Sequence, residues 1–446
     1  MRMQQRQHSL VARRAAWLAM ACGVLICSAL DGATPALTAD RLAGSSARMI
    51  VIAVADKPAL ALAAGSTPHG YDGLRNYAGS DSAKALTASL AGDYRLREVS
   101  AWTIDPLRLR CVLFEIAPRA DRAATLQQLM QDRRVRLAQP LQDFDTFGTP
   151  NAGVDRAPSV QASAYNDPYI ALQSGFSAID AAGAQRWTQG DGVRIALVDT
   201  GLDANHPDLA GRVITQRDFL PDPTTAAATD RHGTEVAGVI VALANNGIGI
   251  AGVAPAAKLM SYRACWAVQA DADAARCNSY TLALALGAAI ASGARIINLS
   301  LGGPPDPLLQ QLTEYALKQG AIVVAALPPS GRADGFPVDI NGVIAVAAAG
   351  DTNADARALA APGTDILTLV PGGHYDYASG SSLATGHVTG AIALLLGIDP
   401  RLHADALYSL LKKTQRSHNA SIDVCAAALT LRQARGLAQR DAHCSR

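Results

Sequence analysis

Residues 193–209 read VRIALVDTGLDANHPDL. The run VRIALV is short, largely apolar and rich in β-branched side chains, as a buried strand should be. Asp199 ends it, and Thr200-Gly201 supplies a tight turn. Four more runs share this texture: KLMSYRA (258–264), RIINLSL (295–301), AIVVAA (321–326) and VIAVAAA (343–349). Helix-like stretches lie between several of them: GTEVAGVIVALA (233–244), SYTLALALGAAIASG (279–293) and DPLLQQLTEYALKQG (306–320). A further apolar helix begins near Ser382 and runs through GHVTGAIALLLGI, and the tail from His403 predicts one more. This alternation predicts an α/β fold, a parallel sheet flanked by helices on both faces. In such sheets functional side chains collect at the carboxyl ends of strands, where Asp199 stands.

Upstream the texture differs. RMIVIAVA (48–55) and RCVLFEIA (110–117) predict strands. DRAATLQQLMQDRRV (121–135) predicts an amphipathic helix with Leu126, Leu129 and Met130 on one face. Residues 46–147 thus read as a small α/β domain. A linker follows at 148–165, GTPNAGVDRAPSVQASAY, rich in Pro, Ala, Ser and Gly. It reads as an exposed, cleavable connection. Residues 166–446 make the main domain.

The first 39 residues have the layout of a secretory signal. Arg2, Arg6, Arg13 and Arg14 precede an apolar core from about Ala15 to Leu30, with candidate cuts after Ala29, Ala36 or Ala39. The core is shorter than the roughly 20 apolar residues that span a bilayer, so no stable membrane span is expected after signal removal. The expected location is secreted or periplasmic. With 39 basic and 38 acidic residues and a net charge of +1, the chain carries no signature of a nucleic-acid partner. Of seven cysteines, Cys22 and Cys27 leave with the signal and Cys111 stands alone in the small domain. The remaining four favour disulfides in an exported chain. Cys265 and Cys277 flank WAVQADADAAR, a natural local staple, and Cys425 with Cys444 would tie down the tail. Zinc is the alternative, but the spacing is wrong for it.

Three motifs carry chemistry. Asp199 ends a strand, His232 in DRHGTEVAGVI (230–240) opens a helix, and Ser382 in YASGSSLATGHVTG (377–390) opens another. Each alone is an ordinary cap or turn residue. Together they are an acid, a base and a nucleophile. A serine hydroxyl needs a base to take its proton, and the base needs an acid to fix its tautomer. A helix start adds free N–H groups that can hold a developing oxyanion.

Asp199-Thr-Gly, His232-Gly-Thr and Gly-Ser-Ser382-x-Ala, in that order, resemble the motifs of the subtilisin-like serine proteases (peptidase S8). IGIAGVAP (248–255), INLSLGG (297–303) and GVIAVAA (342–348) extend the resemblance over roughly residues 166 to 400. It implies a serine endopeptidase acting on peptides or proteins. Asp199 would orient His232, His232 would serve as base and then acid, and Ser382 would attack the carbonyl. Ser300, Leu301 and Gly302 match the family's substrate-binding strand, whose backbone pairs with an extended peptide. Residues 46–147 resemble the family's inhibitory propeptide, an intramolecular chaperone, with the processing site in the linker.

Around the nucleophile the chain departs from the family. Ser381 replaces the usual Thr and Gly386 the usual Pro, while His387 matches the family and takes no chemical role. In AIVVAALPPSG (321–331), Pro329 falls where the family presents an Asn that hydrogen-bonds the oxyanion. No Asn occurs from Leu299 to Ile340. Proline has neither a side-chain donor nor an N–H, leaving Ser330 or Arg332 as candidate replacements. A noncatalytic, peptide-binding relative is therefore the alternative. No cofactor is implied for the chemistry. HPDL (206–209) and LANNGIGIAGVAP (243–255) resemble calcium-binding segments, with Asp208 and Asn246 as side-chain ligands to a structural Ca2+.

Overall fold

The computed structural model describes residues 42, 46–56, 80–150, 164–221, 229–268, 275–415, 420–437 and 444. The signal segment 1–39 and most of the linker lie outside the described residues.

The small domain is a four-stranded antiparallel sheet of β1 (Met49–Ala55), β2 (Arg97–Ile104), β3 (Leu109–Glu115) and β4 (Val135–Pro140), in the order β2-β3-β1-β4. Helices Asp81–Asp93 and Arg122–Gln131 accompany it. β1 is apolar throughout because both its faces are covered. Ile50, Ile52 and Val54 pack in a core with Leu90 and Leu129 of the two helices. Met49, Val51 and Ala53 face the other way, into a core shared with Tyr280, Leu308 and Leu312 of the main domain. Leu129 is buried as the periodicity predicts, but Met130 is 70% exposed and does not share its face.

After β4 the chain enters the main domain as β5 (Asp143–Thr146) and β6 (Thr149–Pro150). The principal sheet is seven-stranded. Its strands are β7 (Arg194–Asp199), β8 (Val213–Asp218), β9 (Lys258–Arg263), β12 (Ile296–Leu299), β14 (Ile322–Ala326), β15 (Ile344–Ala348) and β16 (Leu359–Ala361). They lie parallel in the order β16-β15-β14-β12-β7-β9-β8. The runs read as strands in the sequence all appear, except that RIINLSL divides at Ser300 into β12 and a short β13 (Leu301–Gly302). The hairpin β10 (Cys265–Ala267) and β11 (Ala275–Asn278) and the hairpin β17 (Ile366–Val370) and β18 (His374–Ser379) flank the sheet.

The helix Ser381–Ile398 has the length and composition of a membrane span, yet it is the central core helix, buried from Ser382 to Leu396. It packs on β12, β14, β15, β16 and the helix Arg231–Val241. The tail holds two helices, Ala404–Thr414 and Val424–Ala434, rather than the one expected. The first ends at Thr414, and the Asp423 carboxylate caps the second by accepting the Ala426 N–H. Both expected disulfides form, Cys265–Cys277 and Cys425–Cys444, and Cys111 is a buried free thiol whose pKa burial pushes up.

Candidate active site

Asp199 is the last residue of β7 and fully buried. His232 lies in the first turn of the helix Arg231–Val241, and its Nδ1 donates to Asp199 Oδ1 at 2.7 Å. The same oxygen accepts the Thr200 N–H at 2.6 Å. With Nδ1 so committed, Nε2 is the basic atom of the ring. Further bonds lock this helix start to the Asp199 turn. Gly233 N–H donates to Thr200 Oγ1 (2.9 Å) and Asp203 N–H to Thr234 Oγ1 (3.0 Å).

Asp230 occupies the N-cap position but does not cap. Its carboxylate accepts the Gly201 N–H at 2.8 Å and pairs with the buried Arg263 guanidinium at 2.7 Å. Arg263 also reaches Asp218 at 2.9 Å. Burial raises the Asp230 pKa, and Arg263 opposes that rise. The sequence reading missed this pair. Its only trace was an aspartate at a capping position.

Ser382 opens the central helix behind Gly380. Its hydroxyl donates to the Ser300 carbonyl at 3.0 Å. Ser300 Oγ returns a bond to the Ser382 carbonyl at 3.3 Å and accepts one from Asn298 Nδ2 at 2.9 Å. Asn298 Oδ1 accepts the Thr389 hydroxyl at 2.7 Å. This buried network fixes the end of β12 to the helix that carries Ser382. The Ser381 hydroxyl donates to Leu327 O at 2.7 Å and holds the end of β14 in the same way.

The cleft between these walls contains the chain's own residues. β5 pairs antiparallel with β13, Thr146 opposite Leu301 and Asp145 opposite Gly302. On its other edge it pairs with β11. The peptide strand thus lies between two protein strands as a four-stranded sheet, β10-β11-β5-β13. The Phe147 carbonyl accepts the Ser382 N–H at 3.4 Å, and Phe147 N–H donates to Ser382 Oγ at 3.3 Å. The Phe147 ring lies on Gly302, where a Cβ would come within 2.9 Å of Cζ. Gly148 lies on His232, where a Cβ would come within 2.8 Å of Cδ2 and 3.3 Å of Nε2. Beyond it, Thr149 pairs with Ser379 and Pro150 with Ala378. Gly380 is required here, because a Cβ on it would overlap the Phe147 carbonyl oxygen.

On the far side of the cleft, the Gly331 N–H closes a turn onto Pro328 O at 2.8 Å. Pro329 and Ser330 are exposed on this turn. Ser330 Oγ accepts the Arg332 N–H, and the Arg332 side chain pairs with Asp334 at 2.7 Å. His387 is buried with Nδ1 donating to Leu383 O at 2.9 Å, and burial lowers its pKa to about 4.

The two side chains assigned to Ca2+ bond to each other and to neighbouring donors. Asp208 Oδ1 accepts Asn246 Nδ2 at 2.6 Å, and Oδ2 accepts the Ile250 N–H at 3.0 Å and the Tyr375 hydroxyl at 3.1 Å. Asn246 Oδ1 accepts the Ile248 N–H at 3.0 Å, so its amide nitrogen is what faces Asp208. Ca2+ requires converging oxygens with free lone pairs. Asp167, which the sequence reading did not find, accepts the Asn245 and Asn246 N–H groups in the same loop.

A buried Asp–His pair at the carboxyl edge of a parallel sheet, with a serine opening the facing helix and an extended strand between them, defines the serine peptidase class on an α/β fold. The chain belongs to the subtilase family, peptidase S8, whose profile matches residues 190–424. It is 38% identical over 244 residues to thermitase of Thermoactinomyces vulgaris, which covers 52% of this chain and 84% of thermitase. It is 36% identical over 255 residues to an intracellular serine protease of Paenibacillus polymyxa, covering 50% of this chain and 72% of that one. The crystal structure of fervidolysin from Fervidobacterium pennivorans, a keratinolytic enzyme related to subtilisin, aligns with a TM-score of 0.66 at 22% identity. That alignment covers 85% of this chain and 60% of fervidolysin, and it speaks for the fold. The chain is accordingly a serine endopeptidase of the subtilase family, whose chemistry uses no cofactor.

Proposed function

We propose that this chain is an exported subtilase precursor whose first substrate is its own Phe147–Gly148 bond. In this reading His232 takes the Ser382 proton, and Asp199 holds the ring and steadies the imidazolium. Ser382 Oγ attacks the Phe147 carbonyl carbon. His232 then passes the proton to the departing Gly148 nitrogen, and water releases Phe147 from Ser382 in a second cycle. To start, the Ser382 hydroxyl leaves its bond with the Ser300 carbonyl and turns to His232. Residues 46–147 act as intramolecular chaperone and inhibitor, and 148–165 becomes the free start of the processed enzyme. The start of the chain and the two disulfides support export.

The observation that carries this reading is the seating of one strand across the site, with the Phe147 carbonyl on the Ser382 N–H and Gly148 against His232. The experiment is intact-mass analysis of the purified wild type beside Ser382→Ala. Expected are fragments split at Phe147/Gly148 in the wild type and an unsplit chain in the variant. A wild type first cut elsewhere, or a variant cut equally, contradicts the proposal.

A second reading, a peptide-binding relative without turnover, is favoured by the oxyanion side. There Pro329 stands at the position of the expected Asn and lies exposed on a turn. Fluorophosphonate labelling of the processed protein separates the two: labelling lost in Ser382→Ala supports the enzyme, and a folded, unlabelled protein supports the binder.

A further inference from the structure

The hairpin β10–β11 has a job that the reaction itself does not require. Its two strands are cross-linked face to face, with Cys265 opposite Cys277 and joined to it. Its inner strand, β11, is one wall of the cleft, with Cys277 opposite Phe144 and Arg276 opposite Asp145. Successive side chains on a strand point to opposite faces. Cys277 and Phe144 therefore turn inward, where Phe144 is wholly buried and packs edge-on against Phe336 with centroids 5.6 Å apart. Arg276 and Asp145 turn outward together, with Arg276 Nε 3.4 Å from Asp145 Oδ1. Asp143 also feels Arg276. Burial and Asp145 raise its pKa, and Arg276 lowers it.

We propose that Arg276 is a specificity-determining residue. It selects an acidic side chain three residues before the scissile bond, on extended substrates with an aromatic residue next to the bond and another at the fourth position. The proposal rests on the Phe147–Gly148 register given above. Counting back from that bond, Phe147, Thr146, Asp145 and Phe144 fill the four positions. The inward pair of apolar contacts supplies depth. The outward ion pair supplies choice, because a lysine at the third position would meet a like charge across the strands. The cross-link pins β11 to β10 and stiffens the strand that carries Arg276.

Both partners are partly exposed, at 42% and 63%, so the preference is modest: about two- to fivefold for each change of charge. The experiment uses the processed enzyme and quenched peptides built on DFDTF-GTP, with Asp, Ala or Lys in place of the second Asp. Expected is kcat/KM falling in the order Asp, Ala, Lys for the wild type. Arg276→Ala should flatten the order and Arg276→Glu should invert it. About 0.5 M salt should shrink the wild-type spread. Cleavage at Phe-Gly with the same Asp-to-Lys ratio in wild type and Arg276→Glu overturns the assignment of Arg276 alone. Failure of every form to cut at Phe-Gly overturns the register, and this proposal with it.

Discussion

The two walls of the cleft are held in different ways. On the His232 wall, Asp199, Thr200, Gly201, Asp203, Asp230 and Thr234 form one buried hydrogen-bonded body, backed by the Arg263 ion pair. On the facing wall, β14 ends at Ala326 and leads through Leu327-Pro328 into a turn where Pro329 and Ser330 are exposed. The Ser381 hydroxyl is spent on Leu327 O. One wall is built to hold a charged imidazole in one place. The other carries the Ser382 N–H, which meets the Phe147 carbonyl, and a Pro329 that has neither an N–H nor a side-chain donor. In the proposed reading, catalysis therefore leans on the base side more than on the oxyanion side.

The largest expected effect tests the first wall. Asp199→Asn keeps the shape but favours the wrong tautomer of His232, and kcat should fall about 10^4-fold with KM nearly unchanged. Steady-state kinetics on a Phe-Gly peptide measure this. A loss below tenfold would mean that the base side is not the stronger wall. The next effect tests the other wall from the opposite direction. Losing an oxyanion donor costs about 100- to 1,000-fold, a magnitude taken from subtilisin itself. Pro329→Asn should recover part of that, raising kcat by up to about 100-fold, while Pro329→Ala should leave it unchanged. Equal rates for the Asn and Ala variants would show that the turn does not face the oxyanion.

The contrast also explains what could be read in the sequence. The parallel sheet was legible because β7, β9, β12, β14 and β15 are short apolar runs between helices, a pattern that local periodicity carries. Asp199, His232 and Ser382 were legible because each sits beside a turn or helix start with a fixed motif. The partners of those residues were not. Arg263 lies at the end of an apolar strand and reads as a strand end, and only the fold brings it to Asp230. The register of Asp143–Thr146 between β11 and β13 is a long-range pairing, with separations above 100 residues, that no window of sequence contains. Pro329 stood out as a break in a motif, yet its surroundings depend on how Ser381 and Leu327 meet.

The serine-bearing helix should also respond to acid, and this sharpens the difference between the walls. His387, five residues after Ser382, is buried and its pKa is lowered from 6.5 to about 4. The unfolded chain protonates this residue at higher pH than the native one. Its contribution is therefore fully present above about pH 6.5 and is lost as pH falls toward 4. The shift corresponds to about 3 kcal/mol at the acid end. Urea unfolding at pH 7, 5 and 4 should show that loss in the wild type. A His387→Gln variant, which cannot charge, should lack that share of the acid dependence. Parallel curves for the two proteins would remove His387 as the cause.

The smallest expected effect concerns what joins the walls. β18 runs directly into Gly380 and Ser382, and the Pro207–Leu209 turn follows the strand that ends in Asp199. Tyr375 on β18 donates to Asp208 in that turn, and His206 bonds the His374 carbonyl at 3.0 Å. A hydroxyl, an amide and a backbone N–H thus occupy the carboxylate that the sequence resemblance assigned to calcium. Desolvation raises the Asp208 pKa, and the bonds from Ile250, Asn246 and Tyr375 oppose it. Tyr375→Phe removes one of those donors and should cost about 1–2 kcal/mol, read as a lower midpoint in thermal unfolding. Chelation by EDTA should leave the wild-type midpoint within about 2 °C, since the hydrogen bonds already do the joining. A calcium-dependent rise in the wild-type midpoint would show instead that a cation displaces these donors and that the walls are tied through a metal.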